Sequence, residues 1–342
     1  MKKMISFPKI HDFKSVIKDV THVTRFIGTD LDGNVMYNNN PLPTLNFIGT
    51  VKLHGTNSGI SYNKEEGIWY QSRKNIITPQ NDNAGFAFYV DTHKEAFIKI
   101  INQVSIDNNV DLDKFTITIF GEWAGKGIQK GMGITQLDKA FYLFGVKISK
   151  SEDPEFVNYW VNSTKYSDEE NRIYNVDHFK TFSIDIDFNN PNVVVDRLTD
   201  ITNDVEKECP IAKQFGVSGI GEGVVWRTEY KGSVLRFKVK GEKHKVVKSE
   251  KIVNIDSVKM NSISEFVDYT VTENRIDQAI ESVFGDKEVE KTKLGDLIRW
   301  VYNDIISEES DVLSENNLEP KDVSSAIANK VRKMFLEICN KI

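Results

Sequence analysis

The chain has 342 residues, of which 39% are apolar and 27% charged, and its formal net charge is -6. These values are typical of a globular protein long enough for two domains, and they disfavour a protein that coats nucleic acid through bulk positive charge. No stretch has the roughly eighteen consecutive apolar residues of a membrane span, and the first residues lack a secretory signal pattern. We therefore expect a cytoplasmic protein, in the cytoplasm of the host if the source is a virus. Cys209 and Cys339 lack the spacing of a disulfide framework or zinc site.

The N-terminal third of the chain mixes strand and helix patterns. Residues 1–45 predict an entry arm with a short helix over 12–20, and residues 46–62 alternate bulky and small side chains around two glycines. That alternation predicts two paired strands with a tight connection. Residues 67–77 predict the next strand. Apolar residues at helical spacing over 86–104 predict a helix that packs on the sheet.

Strand patterns resume in the middle of the chain and stop before its end. β-branched and aromatic residues predict strands over 115–120 and 141–148, separated by a glycine-rich loop over 125–133. A polar stretch over 151–215 favours helix, and further strands are predicted over 223–228 and 234–239. From about residue 252 apolar residues recur at helical spacing.

These elements predict an α+β protein with two domains. Residues 1–250 are expected to form mixed and antiparallel sheets with flanking helices, and residues 251–342 a small all-helical domain. The boundary is a change in composition rather than a proline or glycine linker.

Lys52 is unusual because it lies inside an apolar, strand-like segment, VKLHGTN, and is followed by Gly55. A glycine there permits close approach of the backbone to a ligand. A KxxG tetrapeptide is common by chance, and the ordinary interpretation is a lysine on an edge strand. The residues that follow Lys52 along the chain favour a functional lysine over an ordinary one.

Further reactive or aromatic residues follow in order along the chain. They are Arg73 in YQSRKN, Glu122 in IFGEWAG, Phe144 in FYLFGV, Glu222 in GEGVVWR, and Lys238 and Lys240 in LRFKVK. Taken singly, the charged ones could be exposed strand residues and Phe144 a core residue. A basic cluster continues from there through Lys243, His244, Lys245, Lys248 and Lys251, which suits a polyanion but is also typical of a solvated face.

Together this ordered series resembles the nucleotidyltransferase motifs of polynucleotide ligases and mRNA capping enzymes. It is most similar to the RNA ligase 2 family, found in phages and in trypanosome RNA editing, through KLHGTN, FGEWAGKGIQK, FKVK and the tail segment VTENRID. The resemblance implies an ATP-grasp-like ligase domain followed by the helical domain. One departure is Val51, since the family often has an acidic residue before the nucleophile. An adenine contact by that side chain is therefore not implied.

The resemblance implies an ATP-dependent RNA ligase that seals 5′-phosphate and 3′-hydroxyl ends, at nicks in duplex RNA. The reaction would pass through a lysyl-AMP on Lys52 and an adenylylated RNA 5′ end, with ATP and Mg²⁺ or Mn²⁺ as cofactors. We expect RNA as the partner, no membrane association, no obligatory protein partner and a monomer.

The resemblance also assigns roles to individual residues. Catalysis falls to Lys52, Glu222, Lys238 and Lys240, and metal binding to Glu222 and Glu122. Substrate contacts fall to His54, Thr56 and Arg73. The implied nucleotide-binding residues are Val51, Lys52, Leu53, Asn57, Arg73, Glu122, Phe144, Glu222, Lys238 and Lys240. In these roles Phe144 stacks on adenine, Glu122 binds the ribose or assists the metal, and the two strand lysines stabilise charge on the α-phosphate.

Three alternatives share parts of this pattern. ATP-dependent DNA ligases and capping guanylyltransferases use the same lysine chemistry but usually continue into a small β-barrel, whereas the tail here predicts helices. A catalytically idle RNA-binding protein of the same fold would use the basic cluster and aromatic stacking. It is the remoter alternative, because every chemical position holds a competent residue.

Overall fold

The computed structural model describes residues 2–30, 33–150, 157–241, 263–285 and 289–339. The chain divides into two compact units, Met1–Val239 and Lys240–Ile342. The boundary predicted at residue 250 falls outside the described residues and stays a prediction. None of the described helices is both long enough and apolar enough to cross a membrane.

The described residues form strands and helices up to Lys240, and from Ile263 onward they form helices. The strands are β1 (Phe26–Thr29), β2 (Val35–Tyr37), β3 (Thr44–Lys52), β4 (Thr56–Asn63), β5 (Gly67–Ser72), β6 (Ile76–Ile77), β7 (Thr116–Ala124), β8 (Ala140–Ser149), β9 (Tyr159–Val161), β10 (Ile173–Asn175), β11 (Thr181–Asp187), β12 (Gly223–Tyr230) and β13 (Ser233–Lys240). The helices are α1 (Phe13–Arg25), α2 (Phe86–Thr92), α3 (Lys94–Asp107), α4 (Val195–Lys207), α5 (Pro210–Gln214), α6 (Ile263–Thr270), α7 (Glu273–Phe284), α8 (Leu294–Glu308), α9 (Ser310–Glu315) and α10 (Pro320–Cys339).

Two larger sheets and a hairpin organise the first unit. A seven-stranded sheet has the order β10-β8-β7-β4-β5-β6, with β9 also paired to β8, and a four-stranded sheet has the order β11-β3-β12-β13. Strand β3 pairs antiparallel with β11 and β12, and β7 with β4 and β8, whereas β8 and β10 run parallel. Strands β1 and β2 form a separate hairpin. The predicted α+β class with mixed and antiparallel sheets is confirmed.

The two faces of each sheet have different neighbours. Helices α2 and α3 cover one face of the large sheet, where Phe86 and Phe97 pack with Ile117 and Ile119 of β7. A second core lies on one face of the small sheet, where its apolar residues pack with helices α1, α4 and α5 and with the ends of β7 and β8. Side chains alternate along a strand, so the remaining faces of both sheets are free to line a cleft.

The predicted pairing of the two strands over 46–62 is wrong. Strand β3 pairs with β11 and β12 in the small sheet, whereas β4 pairs with β5 and β7 in the large one. The connection passes against β7 at Gly55, where an added Cβ would lie 2.4 Å from the carbonyl oxygen of Trp123. Only glycine fits so close to a neighbouring backbone. Gly55 therefore allows the chain to cross from the small sheet to the large one at this point.

Three other predicted elements differ in detail. The helix over 86–104 is two helices that meet at His93, and the strand over 67–77 is the hairpin of β5 and β6. The helix-favouring stretch over 151–215 contains β9, β10 and β11 as well as α4 and α5. In β11 the buried residues Ile184 and Ile186 alternate with exposed polar ones, a period-two signal that the overall polarity obscured.

The described residues of the second unit from Ile263 onward form helices, as predicted. Its core contains Phe266, Ile276, Leu297 and Val331, which are among the apolar residues at helical spacing and are each buried. One charged residue, Arg275, is also completely buried. Its guanidinium donates hydrogen bonds to Asp304 at 2.9 Å, to Glu309 at 2.8 Å and to the carbonyl of Thr270 at 2.7 Å. A buried cation needs such partners, and here they come from α6, from α8 and from the residue that joins α8 to α9.

Candidate functional site

Lys52 is the last residue of β3, immediately before the chain crosses between the sheets. Phe47, Gly49 and Val51 point into the core, so Lys52 and Thr50 lie on the opposite face of the strand. The Lys52 side chain is 23% exposed. A lysine at this position can reach a ligand in the cleft while its strand stays packed.

Glu222 lies directly beside Lys52 because of the strand register. Gly223 pairs with Lys52 between β12 and β3, which brings the preceding residue to the same edge. The Nζ atom of Lys52 donates a hydrogen bond to Oε2 of Glu222 at 2.7 Å, and that carboxylate is only 4% exposed. His54 approaches the same oxygen, with its Nδ1 atom at 3.4 Å. The structure thus brings together three of the predicted site residues.

Glu122 reaches this group from the large sheet. It lies on β7, paired with Asn57 of β4, and accepts a hydrogen bond from the backbone N–H of Gly55 at 3.0 Å. Burial raises the pKa of Glu122 to about 7 from its ordinary 4.5; the Lys52 ammonium opposes this rise and the Glu222 carboxylate adds to it. The hydrogen bond from Gly55, three residues after Lys52, places the Glu122 carboxylate near the one that Lys52 contacts, where the two sheets meet. Directly opposed residues share a face, so Asn57 also faces the cleft.

Phe144 lies on β8, the strand next to β7, and is partly buried. Its ring packs edge-on against Phe7, with 4.9 Å between the ring centroids. Both residues are on the cleft side of the large sheet, since Phe7 also contacts Phe120 and that residue alternates with Glu122 along the same face. Phe144, the aromatic residue singled out in FYLFGV, therefore lies on the cleft side of the large sheet, and the Phe7 ring packs against its ring.

Lys238 and Lys240 are partly exposed residues of β13 that alternate with the buried Phe237 and Val239. The β12–β13 turn has positive φ at both central residues, 46° at Lys231 and 76° at Gly232, as a two-residue type I′ hairpin requires. Counting back from this turn, Lys238 lies opposite Val225, which pairs with Thr50 of β3. Lys238 therefore shares a sheet face with Lys52.

The other predicted residues take different positions. Val51 and Leu53 are 3% and 5% exposed and pack in the core, which leaves only their backbones for a ligand. Arg73 is exposed and follows the last β4–β5 pair, Ser58 with Ser72, at the same end of the sheet as Asn57. Thr56 is opposite Trp123, on the other face from Asn57, and its hydroxyl accepts a hydrogen bond from Asn83 at 2.8 Å. The structure does not bring Thr56 into the cleft.

Sequence reasoning missed cleft residues on both strands of the β12–β13 hairpin. Arg236 precedes Lys238 by two residues and shares its face, and Val225 is the partly buried neighbour opposite Lys238. Arg236 lies two residues before Lys238 in the same alternating pattern, so the sequence could have indicated that it shares a face with Lys238 and Lys240. The predicted cluster from Lys243 to Lys251 lies outside the described residues.

The two carboxylates are the candidate ligands for a divalent cation. The described part of the chain contains no group of three or more His, Cys, Asp or Glu residues that could hold a metal ion by itself. Mg²⁺ usually retains several waters and takes one or two carboxylates together with substrate phosphates. Glu222 and Glu122, coupled electrostatically and adjacent to one cleft, fit such a shared site.

A cavity of about 550 Å³ lies elsewhere, lined by Phe88, Tyr89, His93, Trp123 and Arg172 among others. Trp123 follows Glu122 on β7 and so points to the opposite face of the sheet. The cavity includes neither of the two carboxylates and neither of the strand lysines. We assign the site by its chemistry and place it in the cleft between the sheets.

Comparison with known proteins identifies the family of this chain. A model of the RNA ligase family matches residues 45–240. Solved structures of a Naegleria gruberi RNA ligase with pyrophosphate and of a mutant of that ligase with ATP and Mn each have a TM-score of 0.41 and 16% identity. Each match covers 69% of this chain and 56% of the other, so this chain spans little more than half the length of that ligase. No curated protein matched the sequence.

The matched region is where the site lies. It begins in β3, contains Lys52, Glu122 and Glu222, ends at the last residue of β13, and makes up more than half of the chain. The chain therefore belongs to the RNA ligase family.

Proposed function

We propose that this protein is an ATP-dependent RNA ligase that joins a 5′-phosphate to a 3′-hydroxyl, with nicks in duplex RNA as its preferred substrate. The observation that carries the proposal is the contact of Lys52 with Glu222, next to Glu122, where the chain crosses between two sheets. A lysine in a cleft can capture a nucleotide covalently once its ammonium loses a proton, and a carboxylate in contact with it can accept that proton.

In the first step the Lys52 amine attacks the α-phosphorus of ATP. The nitrogen lone pair forms the N–P bond, the bond from that phosphorus to the bridging oxygen breaks, and pyrophosphate leaves with the electron pair. The amine must first lose its proton, and the Glu222 carboxylate, 2.7 Å from Nζ, is in position to take it. The product is AMP bound to Lys52 as a phosphoramidate.

Residues along the cleft would hold the nucleotide for that attack. Phe144 offers a partly exposed ring for stacking on adenine, and the backbone at Val51 and Leu53 can approach the base edge. Lys238 lies on the same sheet face as Lys52, and Lys240 follows two residues later along β13. Their ammonium groups would stabilise the charge that develops on the α-phosphate.

Glu222 and Glu122 would hold a divalent cation, Mg²⁺ or Mn²⁺, shared with the phosphates. Such an ion would neutralise phosphate charge when bound. Asn57, opposite Glu122, could donate its amide to a phosphate or a metal-bound water. Once Glu222 has passed the proton of Lys52 to solvent, its ionised carboxylate would exchange the contact with Lys52 for the cation.

The later steps transfer AMP to the RNA. An oxygen of the RNA 5′-phosphate attacks the phosphorus of the adenylate and Lys52 leaves; the 3′-hydroxyl then attacks the activated 5′-phosphate and AMP leaves. Arg73, exposed at the same end of the sheet as Asn57, and His54, beside Glu222, are the candidates for binding the RNA end. The predicted role of Thr56 has less support, because its side chain lies on the other face of β4. The helical second unit supports RNA over DNA, since DNA ligases usually have a β-barrel there.

Self-adenylylation is the direct test. Incubation with α-labelled ATP and Mg²⁺ is expected to label the protein, pyrophosphate to remove the label, and Lys52→Ala to abolish it. Lys99→Ala is the matched control, because Lys99 is an exposed lysine on α3 remote from the cleft residues. Labelling by GTP instead of ATP would refute the ligase assignment in favour of a guanylyltransferase.

A panel of nicks tests the substrate. Sealing rates on nicked RNA duplex, nicked DNA duplex, RNA–DNA hybrids and free single strands are compared at one protein concentration. The nicked RNA duplex is expected to be sealed fastest. Equal rates on RNA and DNA nicks, or faster joining of free single strands, would contradict the proposed preference while leaving the adenylylation chemistry intact.

A further inference from the structure

The N-terminal segment, residues 2–7, lies against the large sheet ahead of the region that the family model matches. The Gln71 side chain of β5 is 2% exposed and pairs with both backbone groups of Ile5: its Oε1 accepts from the N–H at 3.0 Å and its Nε2 donates to the carbonyl at 2.6 Å. The indole N–H of Trp69 donates to the carbonyl of Lys3 at 3.0 Å. Buried side chains thus hold this segment in the way that a neighbouring strand would.

The segment ends in Phe7, a ring that is 8% exposed and enclosed by other aromatic rings. Its centroid is 4.9 Å from Phe144, 5.2 Å from Phe120 and 5.2 Å from Trp160, and all three contacts are edge-to-face. Gly145 provides the space, because an added Cβ there would lie 3.1 Å from the Trp160 ring. Edge-to-face contacts of this kind define the tilt of a ring as well as its position.

The small sheet closes over the same ring. The guanidinium carbon of Arg236 lies 5.2 Å from the Phe7 centroid and 4.3 Å from the Trp160 centroid. Burial, with a smaller effect of Arg227, lowers the pKa of Arg236 to about 10. Phe7 is therefore in contact with side chains from both walls of the cleft.

The strand registers give the distance of this contact from the nucleophile. Counting from the type I′ turn, Arg236 lies opposite Arg227, which pairs with Ile48 of β3. Ile48 is four residues from Lys52, about 13 Å along an extended strand. Phe7 thus lies further along the cleft than Lys52, beside Phe120, which is two residues from Glu122, and in contact with Phe144.

We propose that Phe7 is a positioning residue for the nucleotide. It acts through Phe144: by contacting the edge of that ring, it holds the ring in the orientation in which it stacks on adenine. This inference rests on the proposed function, in which Phe144 is the stacking residue. It assigns part of the nucleotide site to a segment outside the matched family region.

The test compares base-dependent binding with the chemical step in the full-length protein. In Phe7→Ala the ATP concentration for half-maximal self-adenylylation is expected to rise about three- to tenfold, the range that the loss of one aromatic pair corresponds to. The rate at saturating ATP is expected to stay within about twofold of the original, because Lys52 and its carboxylates are untouched. Binding of inorganic tripolyphosphate, measured by calorimetry, should not change, because it has no base to stack.

Two further variants separate positioning from folding. Phe7→Leu keeps much of the volume without the aromatic edge and is expected to restore the melting temperature more completely than the ATP response. Phe88→Ala, at a phenylalanine that is 63% exposed on α2, is the control and should leave both quantities unchanged. An unchanged ATP response in a folded Phe7 variant would overturn the inference, as would an equal loss of ATP and tripolyphosphate binding. Failure of the unaltered protein to bind ATP or form an adduct would instead refute the proposed function.

Discussion

The Nζ atom of Lys52 lies 2.7 Å from Oε2 of Glu222, and the two residues are 170 positions apart in the sequence. Strand β3 provides the amine, and the residue just before β12 provides the carboxylate, so the contact depends on the pairing of Lys52 with Gly223. An ion pair stabilises the ammonium, which cannot attack phosphorus. The pair must therefore break, and the proton must leave, before the proposed reaction.

Replacement of Glu222 by glutamine tests the role of its charge. A neutral amide at this position is not expected to accept the proton or hold a cation, so Glu222→Gln should slow self-adenylylation by on the order of 100-fold or more. Its similar shape should preserve the fold, which circular dichroism and the melting temperature would verify. Glu229→Gln, at an exposed residue of β12, is the control and should retain full activity. An active Glu222→Gln variant would contradict the assignment.

Glu122 predicts a specific dependence of stability on pH. Its pKa is about 7 in the folded protein and 4.5 ordinarily, so between these values the folded state binds more protons than the unfolded state. The contribution of Glu122 to stability should therefore be greatest below pH 4.5 and decline as the pH rises to about 7. In Glu122→Gln this decline is absent, and the variant should gain melting temperature relative to the original protein as the pH rises.

The measurement is a series of melting temperatures across that pH range without nucleotide or divalent cation. Glu95→Gln, at an exposed glutamate of α3, provides a matched loss of one carboxylate and should run parallel to the original protein. If the curve for Glu122→Gln also runs parallel to that of the original protein, burial does not raise the pKa of Glu122.

Arg275 predicts where the second unit is most sensitive to mutation. Arg275→Ala removes the cation between Asp304 and Glu309, and loss of one member of a buried ion network costs about 3–5 kcal/mol. Calorimetric unfolding of the full chain should show the loss. Arg299→Ala, at an arginine that is 75% exposed beside Asp296, should change stability by less than about 1 kcal/mol. Similar effects of the two substitutions would contradict the structural role of Arg275.

Gly55 should not tolerate a side chain. A Cβ would lie 2.4 Å from the Trp123 carbonyl and 2.8 Å from the Ala124 side chain, so Gly55→Ala must displace the segment that carries Lys52. We expect a loss of about 1–3 kcal/mol of stability, as for overpacked sites, together with slower self-adenylylation. Gly295→Ala, on α8 with nothing within 4 Å of the added atom, should be neutral or stabilising. A fully active and stable Gly55→Ala variant would show that the connection can shift without consequence.

The order of the candidate site residues could be recognised from the sequence, but their contacts in space could not. Lys52, Glu122 and Glu222 were identifiable from local motifs, and helical spacing indicated the second unit, since both signals are local. The sequence did not indicate that β3 and β4 lie in different sheets, because a tight hairpin and a crossover between sheets have the same alternating pattern. Phe7 could not be identified for a related reason: its importance comes from rings contributed by β7, β8 and β9, and a single phenylalanine has no local signature.

The crossing at Gly55 has a mechanical consequence. Lys52 belongs to the hydrogen-bonded ladder of the small sheet, and three residues later Gly55 donates its backbone N–H to Glu122 of the large sheet. A connection this short cannot stretch, so the two walls of the cleft cannot separate at this edge without breaking one of these attachments. Any opening that admits or releases the proposed nucleotide must therefore pivot about Lys52, which stays fixed while the far end of the cleft moves.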